Sequence, residues 1–426
     1  MSCSKETTKP GPPSPSPSGS STVHLHIDGS SSGAIEYTQE RKHIFQDKDD
    51  IVVKRKRLKS GDHGSTICGE CKRIDFNGVL DLTADIRTLW REPENGILVA
   101  NLAARCTGPP TNGCSLCSLF FAARIPSDSA EYELRALSFM GFITCVNFSK
   151  CSWDFRARDI PQLCVVPTGI RPKMLAYHII DHVAAHGSIL PTKLEDTMNS
   201  NSIFYPRLVS GHVDFTVVKE WTEYCKLHHG RLCATEKALP SGMRLIDCFR
   251  PRPAIVPAVG RRRYAALSYV WGQTMQERRE TVPPSTNDLP RVLPQTLMDA
   301  IQVCKAMDIP FLWVDRYCIH HLDPREAQEQ LDQMDTIYES SDITIIALGP
   351  DAESGLPGIS TIRETQPSVG LHDFHLFSTK PHPHLAIRNS TWSQRGWTFQ
   401  EAVLSRRRLV FTEHQVYFEC CAMNCQ

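Results

Sequence analysis

From Tyr264 onward the chain alternates short, almost unbroken apolar runs with stretches of helical apolar spacing, and few architectures accept that alternation. Tyr264 to Val270 is one such run, ended by Trp271-Gly272; Phe311-Leu312-Trp313-Val314 is a second, ending at Asp315. Ile343 to Leu348 is a third, rich in β-branched residues and closed by Gly349-Pro350. Runs of this length without polar alternation read as strands buried on both faces. Between the first two, Pro294 suits a first helical position, and Leu297, Ala300, Ile301 and Cys304 then give one apolar face. Ala327, Leu331, Met334 and Tyr338 mark a second amphipathic helix. Strand, helix, strand, helix, strand predicts an α/β fold with a parallel sheet covered on both sides. After a polar, histidine-containing insertion, Trp397 to Leu404 reads as a helix. Arg408 to Thr412 and Gln415 to Cys420 then read as a closing hairpin across Glu413-His414.

The 426 residues leave room upstream for more than this sheet. Residues 1–65 are rich in Ser, Pro, Gly and charge, cannot offset the entropy of ordering, and are expected to be a disordered tail. Residues 66–248 mix short apolar runs (Phe142 to Val146, Leu163 to Val166) with polar loops and read as a Cys-rich α+β region; the sheet region is then 249–426. Lys plus Arg and Asp plus Glu both number 47, so no global field draws the chain to nucleic acid or membrane. The start of the chain lacks a signal-peptide core, and no apolar run reaches the roughly 20 residues of a bilayer span. A soluble, cytoplasmic protein is expected. Lys54-Arg55-Lys56-Arg57-Leu58-Lys59 reads either as a nuclear-import signal or as a solvated charge run.

In a reducing compartment the 17 cysteines are core thiols or metal ligands rather than a disulfide frame. Cys68-x2-Cys71 and Cys114-x2-Cys117 each place two thiolates on a tight turn, and together they suit the four corners of a structural zinc site. Cys225, His229 and Cys233, following Trp221, share one face if the stretch is helical. They are a second candidate ligand set or simply buried core residues, and Gly230 argues against a continuous helix. The histidines at 63, 228, 372, 375, 382 and 384 read as loop residues. In open parallel sheets ligands collect beyond the carboxyl ends of strands, and those ends here offer Trp271-Gly272, Asp315-Arg316 and Gly349-Pro350-Asp351. No phosphate-binding glycine loop follows any strand. Glu401 lies one helical turn after Trp397, so an indole beside it would desolvate the carboxylate and suit it to catalysis; the alternative pairs it with Arg395 as a structural ion pair.

These same residues carry a family resemblance. Tyr264-x-Ala266-Leu267-Ser268-Tyr269-Val270-Trp271-Gly272, Leu312-Trp313-Val314-Asp315-x-x-Cys318-Ile319, Gln333-x-x-x-Ile337-Tyr338 and Arg395-Gly396-Trp397-Thr398-Phe399-Gln400-Glu401 with Leu404-Ser405 stand in the order of the motifs of fungal heterokaryon-incompatibility (HET) domains. The paired Cys-x2-Cys elements, the Trp221 to Cys233 stretch and Arg244-Leu245-Ile246-Asp247 also resemble leaders common in such proteins. One departure is His320-His321, where the family carries Asp or Asn followed by Gln after the Cys-Ile pair. The domain in turn resembles the TIR fold, a flavodoxin-like sheet in which some members break down NAD with the glutamate of a Trp-x3-Glu element, here Glu401.

The resemblance implies non-self recognition after hyphal fusion and death of the fused cell. In its sharper form it implies NAD as substrate, Glu401 as catalytic residue, and Ser268, Trp271, Gly272, Asp315 and Trp397 as the ligand-binding set. The alternatives are a non-enzymatic module that self-associates or binds another incompatibility protein, and a zinc-dependent nuclear regulator, which the neutral net charge does not encourage. With no further domain after Cys425, recognition is expected in the amino-terminal half unless the sequence is a truncated form.

Overall fold

The computed structural model describes residues 66–76, 97–128, 131–138, 161–169, 185–193, 208–234, 238–260, 262–272, 289–320, 323–371 and 374–425. The expected tail, its basic run, the Phe142 to Val146 apolar run, His63, His321 and His372 lie outside them. In chain order come β1 (Ile97–Ala103), α1 (Ser115–Ala122), β2 (Tyr132–Ser138), β3 (Pro161–Pro167) and β4 (Ile189–Lys193). Next are α2 (Phe215–His228), α3 (Gly230–Cys233), β5 (Arg244–Asp247), β6 (Ala254–Pro257) and β7 (Tyr264–Ser268). They are followed by α4 (Gln295–Ala306), β8 (Phe311–Trp313), α5 (Asp315–Cys318), α6 (Pro324–Leu331), α7 (Met334–Ser340) and β9 (Ile343–Ala347). The last elements are β10 (Ser368–Gly370), β11 (Phe374–Ser378), α8 (Pro383–Asn389), α9 (Gly396–Leu404), β12 (Arg407–Phe411), β13 (Val416–Cys420) and β14 (Asn424–Cys425).

The three apolar runs become β7, β8 and β9, and they pair in parallel with one another and with β12. The sheet order is β14-β13-β12-β9-β7-β8-β5-β6, with antiparallel pairs at both edges. Successive residues of its strands enter different cores: Ile345, Leu409, Phe411 and Phe418 face one, while Ile346, Val410 and Tyr417 face the other with Trp392. Burial on both faces is why these strands could be apolar throughout. α4 begins one residue later than expected, with Pro294 as its N-cap. The single helix expected over Ala327 to Tyr338 is two, because the chain turns at Asp332-Gln333 between α6 and α7.

The second sheet, of order β1-β2-β3-β4-β11-β10, is antiparallel throughout and packs α1 on one face through Leu116, Leu119 and Phe120. A boundary at 249 does not follow the sheets. Residues 62–426 form one compact unit. The cut would part β5 from β6, which pair over Arg244–Pro257 and Asp247–Ala254. It would equally part β4 from β11, which pair from Ile189–Ser378 to Lys193–Phe374. Backbone hydrogen bonds rather than sequence proximity decide membership here, so the polar insertion after β9 is completed by the amino-terminal half.

Candidate functional site

The parallel strands run in chain order 2-1-3-4 across the sheet, so the order reverses between β7 and β9. A crevice forms at such a reversal, outside the carboxyl ends of the strands. Ser268, the last residue of β7, sits there and is buried. Its hydroxyl accepts the indole N–H of Trp392 at 2.7 Å. Indole can only donate, so the Ser268 proton is directed onward to the Glu401 carboxylate, which it meets. The Tyr338 hydroxyl bonds the same carboxylate. Burial raises the Glu401 pKa, while Ser268, Arg395 and Tyr338 draw it back down. α9 is fixed at both ends: the Thr398 hydroxyl donates to the Trp392 carbonyl at 2.5 Å, and the Ser405 hydroxyl to the Glu401 carbonyl at 2.5 Å.

Asp315 follows β8 and is the second carboxylate. It accepts from the Trp271 indole at 3.3 Å and from the Arg316 amide at 2.6 Å. Burial, with the charge of Glu401 added, lifts its pKa from 3.8 to about 7. Arg316 lies over the Trp271 ring, 5.3 Å from its centroid, and Arg395 donates to the Tyr269 carbonyl at 3.1 Å. Gly272 has φ of +81°, and a Cβ there would stand 2.8 Å from Cβ of Asp351, so glycine alone suits this turn. Two buried polar atoms have no protein partner: the Tyr269 hydroxyl, which feels the charge of Asp315, and Nε1 of Trp313, the last residue of β8. In a native fold such atoms commonly serve a ligand or an ordered water. The result is a desolvated pair of carboxylates with fixed donors, able to hold or move a proton or to face a developing positive charge.

A family model described as heterokaryon incompatibility protein (HET) matches residues 264–401, from the first residue of β7 to Glu401 itself. These residues form a HET domain. A stretch of the chain is also 30% identical over 97 residues to heterokaryon incompatibility protein 6, OR allele, of Neurospora crassa, a match covering 20% of this chain and 14% of that protein. The chain therefore spans well under two thirds of that relative. No solved structure matches it.

Within the HET domain the expected site residues divide. Ser268, Trp271, Gly272, Asp315 and Glu401 converge on the strand ends, but Trp397 does not: its side chain is 60% exposed. The indole that meets the Ser268–Glu401 pair is Trp392, from the short turn before α9. Helical spacing put Trp397 and Glu401 on related faces but could not say which face is inward. Arg395 forms no ion pair with Glu401 among the described residues, which removes the simple structural pairing. His320 is paired at the surface with Glu326, Nδ1 to Oε2 at 2.8 Å. His382 stands in the loop before α8 and caps it, whereas His384 is not a loop residue: it lies in α8 and bonds the buried Tyr417 hydroxyl at 2.8 Å. His228 ends α2 with its ring on Tyr224, and His375 lies in β11.

Two sets of ligand atoms outside the HET match each fall within 4.8 Å of one another and could hold a metal ion. The first is Cys68, Cys71, Cys114 and Cys117, where Sγ of Cys117 stands 3.9 Å from Cys68 and 3.5 Å from Cys71. A tetrahedral zinc with bonds of about 2.3 Å sets sulfurs roughly 3.8 Å apart, so the residues fit. Outer donors are present too: the Cys68 amide to Cys114 at 3.3 Å and Arg105 to Cys71 at 3.6 Å. The second set joins Cys225, His229 and Cys233 to Cys420, a ligand no local spacing announced.

Proposed function

We propose that this chain acts in fungal vegetative incompatibility as a cytoplasmic HET-domain effector of cell death, with Glu401 as its working carboxylate. The role rests on the family match, and the residue assignment on one observation: the buried Trp392–Ser268–Glu401 relay at the reversal point of the parallel sheet. The sharper reading is NAD cleavage. The 2-1-3-4 strand order agrees with a flavodoxin-like, TIR-like sheet. A buried carboxylate can stabilise the oxocarbenium-like ribosyl centre as nicotinamide leaves. Trp271 and Asp315 would position the ribose, and the unpartnered Tyr269 and Trp313 groups would bond its oxygens. The Cys68, Cys71, Cys114 and Cys117 set takes a structural zinc, with all four positions filled by protein.

The test is expression in fungal cells of wild type, Glu401→Gln and Glu401→Ala, with cellular NAD and viability followed together. Wild type should deplete NAD and kill, and both variants should do neither while accumulating to equal levels. Undiminished killing by the variants with NAD unchanged would refute the assignment. That result would favour the second reading, a non-enzymatic module that self-associates or engages another incompatibility protein. Its supporting observation is Trp397, an indole 60% exposed on the same helix as Glu401, of the kind that anchors protein interfaces. Killing would then track Trp397→Ala.

A further inference from the structure

We infer that Cys225, His229, Cys233 and Cys420 form a zinc site of three thiolates and one imidazole that clamps the helix before the HET domain to the chain's closing hairpin. Nothing in this inference depends on the chemistry of Glu401. α2 ends at His228, His229 leaves helical geometry at φ −116° and ψ 21°, and Gly230 opens the single turn of α3. That break lets Cys225, His229 and Cys233 close around a point instead of lying along a line. Cys420, the last residue of β13, arrives from the far end of the chain. Its Sγ is 3.5 Å from Nδ1 of His229. Tetrahedral zinc, with bonds of about 2.3 Å to sulfur and 2.0 Å to nitrogen, sets such a pair roughly 3.6 Å apart. The three cysteines are buried and all are free thiols.

The independent observation is Arg407. Its side chain is buried, with 4% of the residue exposed. Its guanidinium donates to Sγ of Cys225 at 3.2 Å, to the Cys233 carbonyl at 2.9 Å and to the Asp342 carbonyl at 3.3 Å. Among the described residues it meets no carboxylate. A buried cation without an anion is costly, and an arginine keeps its charge. Three thiolates and a neutral imidazole around a dication leave one net negative charge, which this guanidinium would balance. The backbone N–H of Ala422 also points at Sγ of Cys420, at 3.5 Å, as a donor to a metal-bound thiolate would. Cys421 is excluded from the set: it is exposed and turned to the Arg406 carbonyl, 3.7 Å away.

The clamp also reaches the Glu401 helix. Arg406 and Arg407 follow directly after α9 and Ser405, and they bond the carbonyls of Leu232 at 2.7 Å and Cys233 at 2.9 Å. The loop that the metal folds is thus the loop that holds the exit of α9.

The experiment is zinc analysis and X-ray absorption on the full chain, purified under reducing conditions. Two zinc ions per chain, with about 3.5 sulfurs and 0.5 nitrogen around the average ion, are expected if this site and the all-cysteine site are both filled. One zinc with three sulfurs and one nitrogen would still support this site and would remove the Cys68 set. One zinc with four sulfurs, or a Cys225–Cys420 disulfide found by mass spectrometry, would overturn the inference. As a check that leaves every ligand in place, Arg407→Gln should lose zinc to a chelator at roughly 10–100-fold lower chelator concentration, and Arg407→Lys less so. Equal retention in all three proteins would overturn the role given to Arg407.

Discussion

Asp315→Asn replaces one carboxylate oxygen by an amide at the end of β8 and removes a charge that its surroundings disfavour. The remaining oxygen can still accept from Trp271 and from the Arg316 amide, and the new amide can donate toward Glu401, whose charge already bears on the position. The folded-state pKa of Asp315 is about 7, against 3.8 for the free group. At about 1.4 kcal/mol per pKa unit, that gap corresponds to roughly 4 kcal/mol of stability. The sign follows from proton counts. Between pH 4 and 7 the unfolded chain has released this proton and the folded chain has kept it, so stability falls as pH rises through that window and is level above it. Urea unfolding of wild type and Asp315→Asn, followed by tryptophan fluorescence at intervals from pH 4.5 to 8, reads the group together with its coupling to Glu401, because titrations remote from the site are shared and cancel in the difference. The stability of wild type minus that of the variant should decline by up to about 4 kcal/mol across the window, leaving the variant the more stable protein at neutral pH. A difference independent of pH would mean that Asp315 ionises as an exposed carboxylate does, and the claim of a desolvated site would fail with it.

The two indoles near Glu401 should separate cleanly. Trp392→Ala should cost roughly 3–5 kcal/mol, and Trp397→Ala should stay within about 0.5 kcal/mol, in the same urea assay. The reverse order would mean the wrong indole has been placed in the site. Asp299, fully buried on α4, accepts from Gln295 at 2.8 Å, the Leu356 amide at 2.7 Å and Ser360 at 2.6 Å. Asp299→Ala should therefore cost roughly 2–5 kcal/mol and speed hydrogen exchange at the Leu356 amide; unchanged exchange there would show that the loop after β9 is held by other contacts.

Much of the parallel sheet could be read from the residues because its strands are buried on both sides, and burial on both sides leaves an apolar run that no surface strand matches. The same reasoning placed Trp271, Gly272 and Asp315 at strand ends and Glu401 on a helix, while Ser268 entered only through the family resemblance. It went wrong where the information is not local. Trp392 lies in a short turn whose inward direction is set by its packing with Ile346 and Val410. Cys420 joins ligands of α2 and α3 only because β13 pairs with β12, and Arg407 declares itself only once its lack of a carboxylate is visible. The boundary at 249 failed for the same reason: an antiparallel pairing such as that of β4 with β11 leaves no mark in the spacing of either strand.

That pairing has a practical consequence for anyone who handles the HET domain by itself. A fragment cut to the matched range would carry β10 and β11 without β4, β8 without β5 and β9 without β12, leaving three unpaired rows of N–H and C=O groups. Open strand edges recruit other chains. The isolated fragment would then tend to assemble through these cut edges, so any oligomer it formed would report where it was cut before it reported how the intact protein signals.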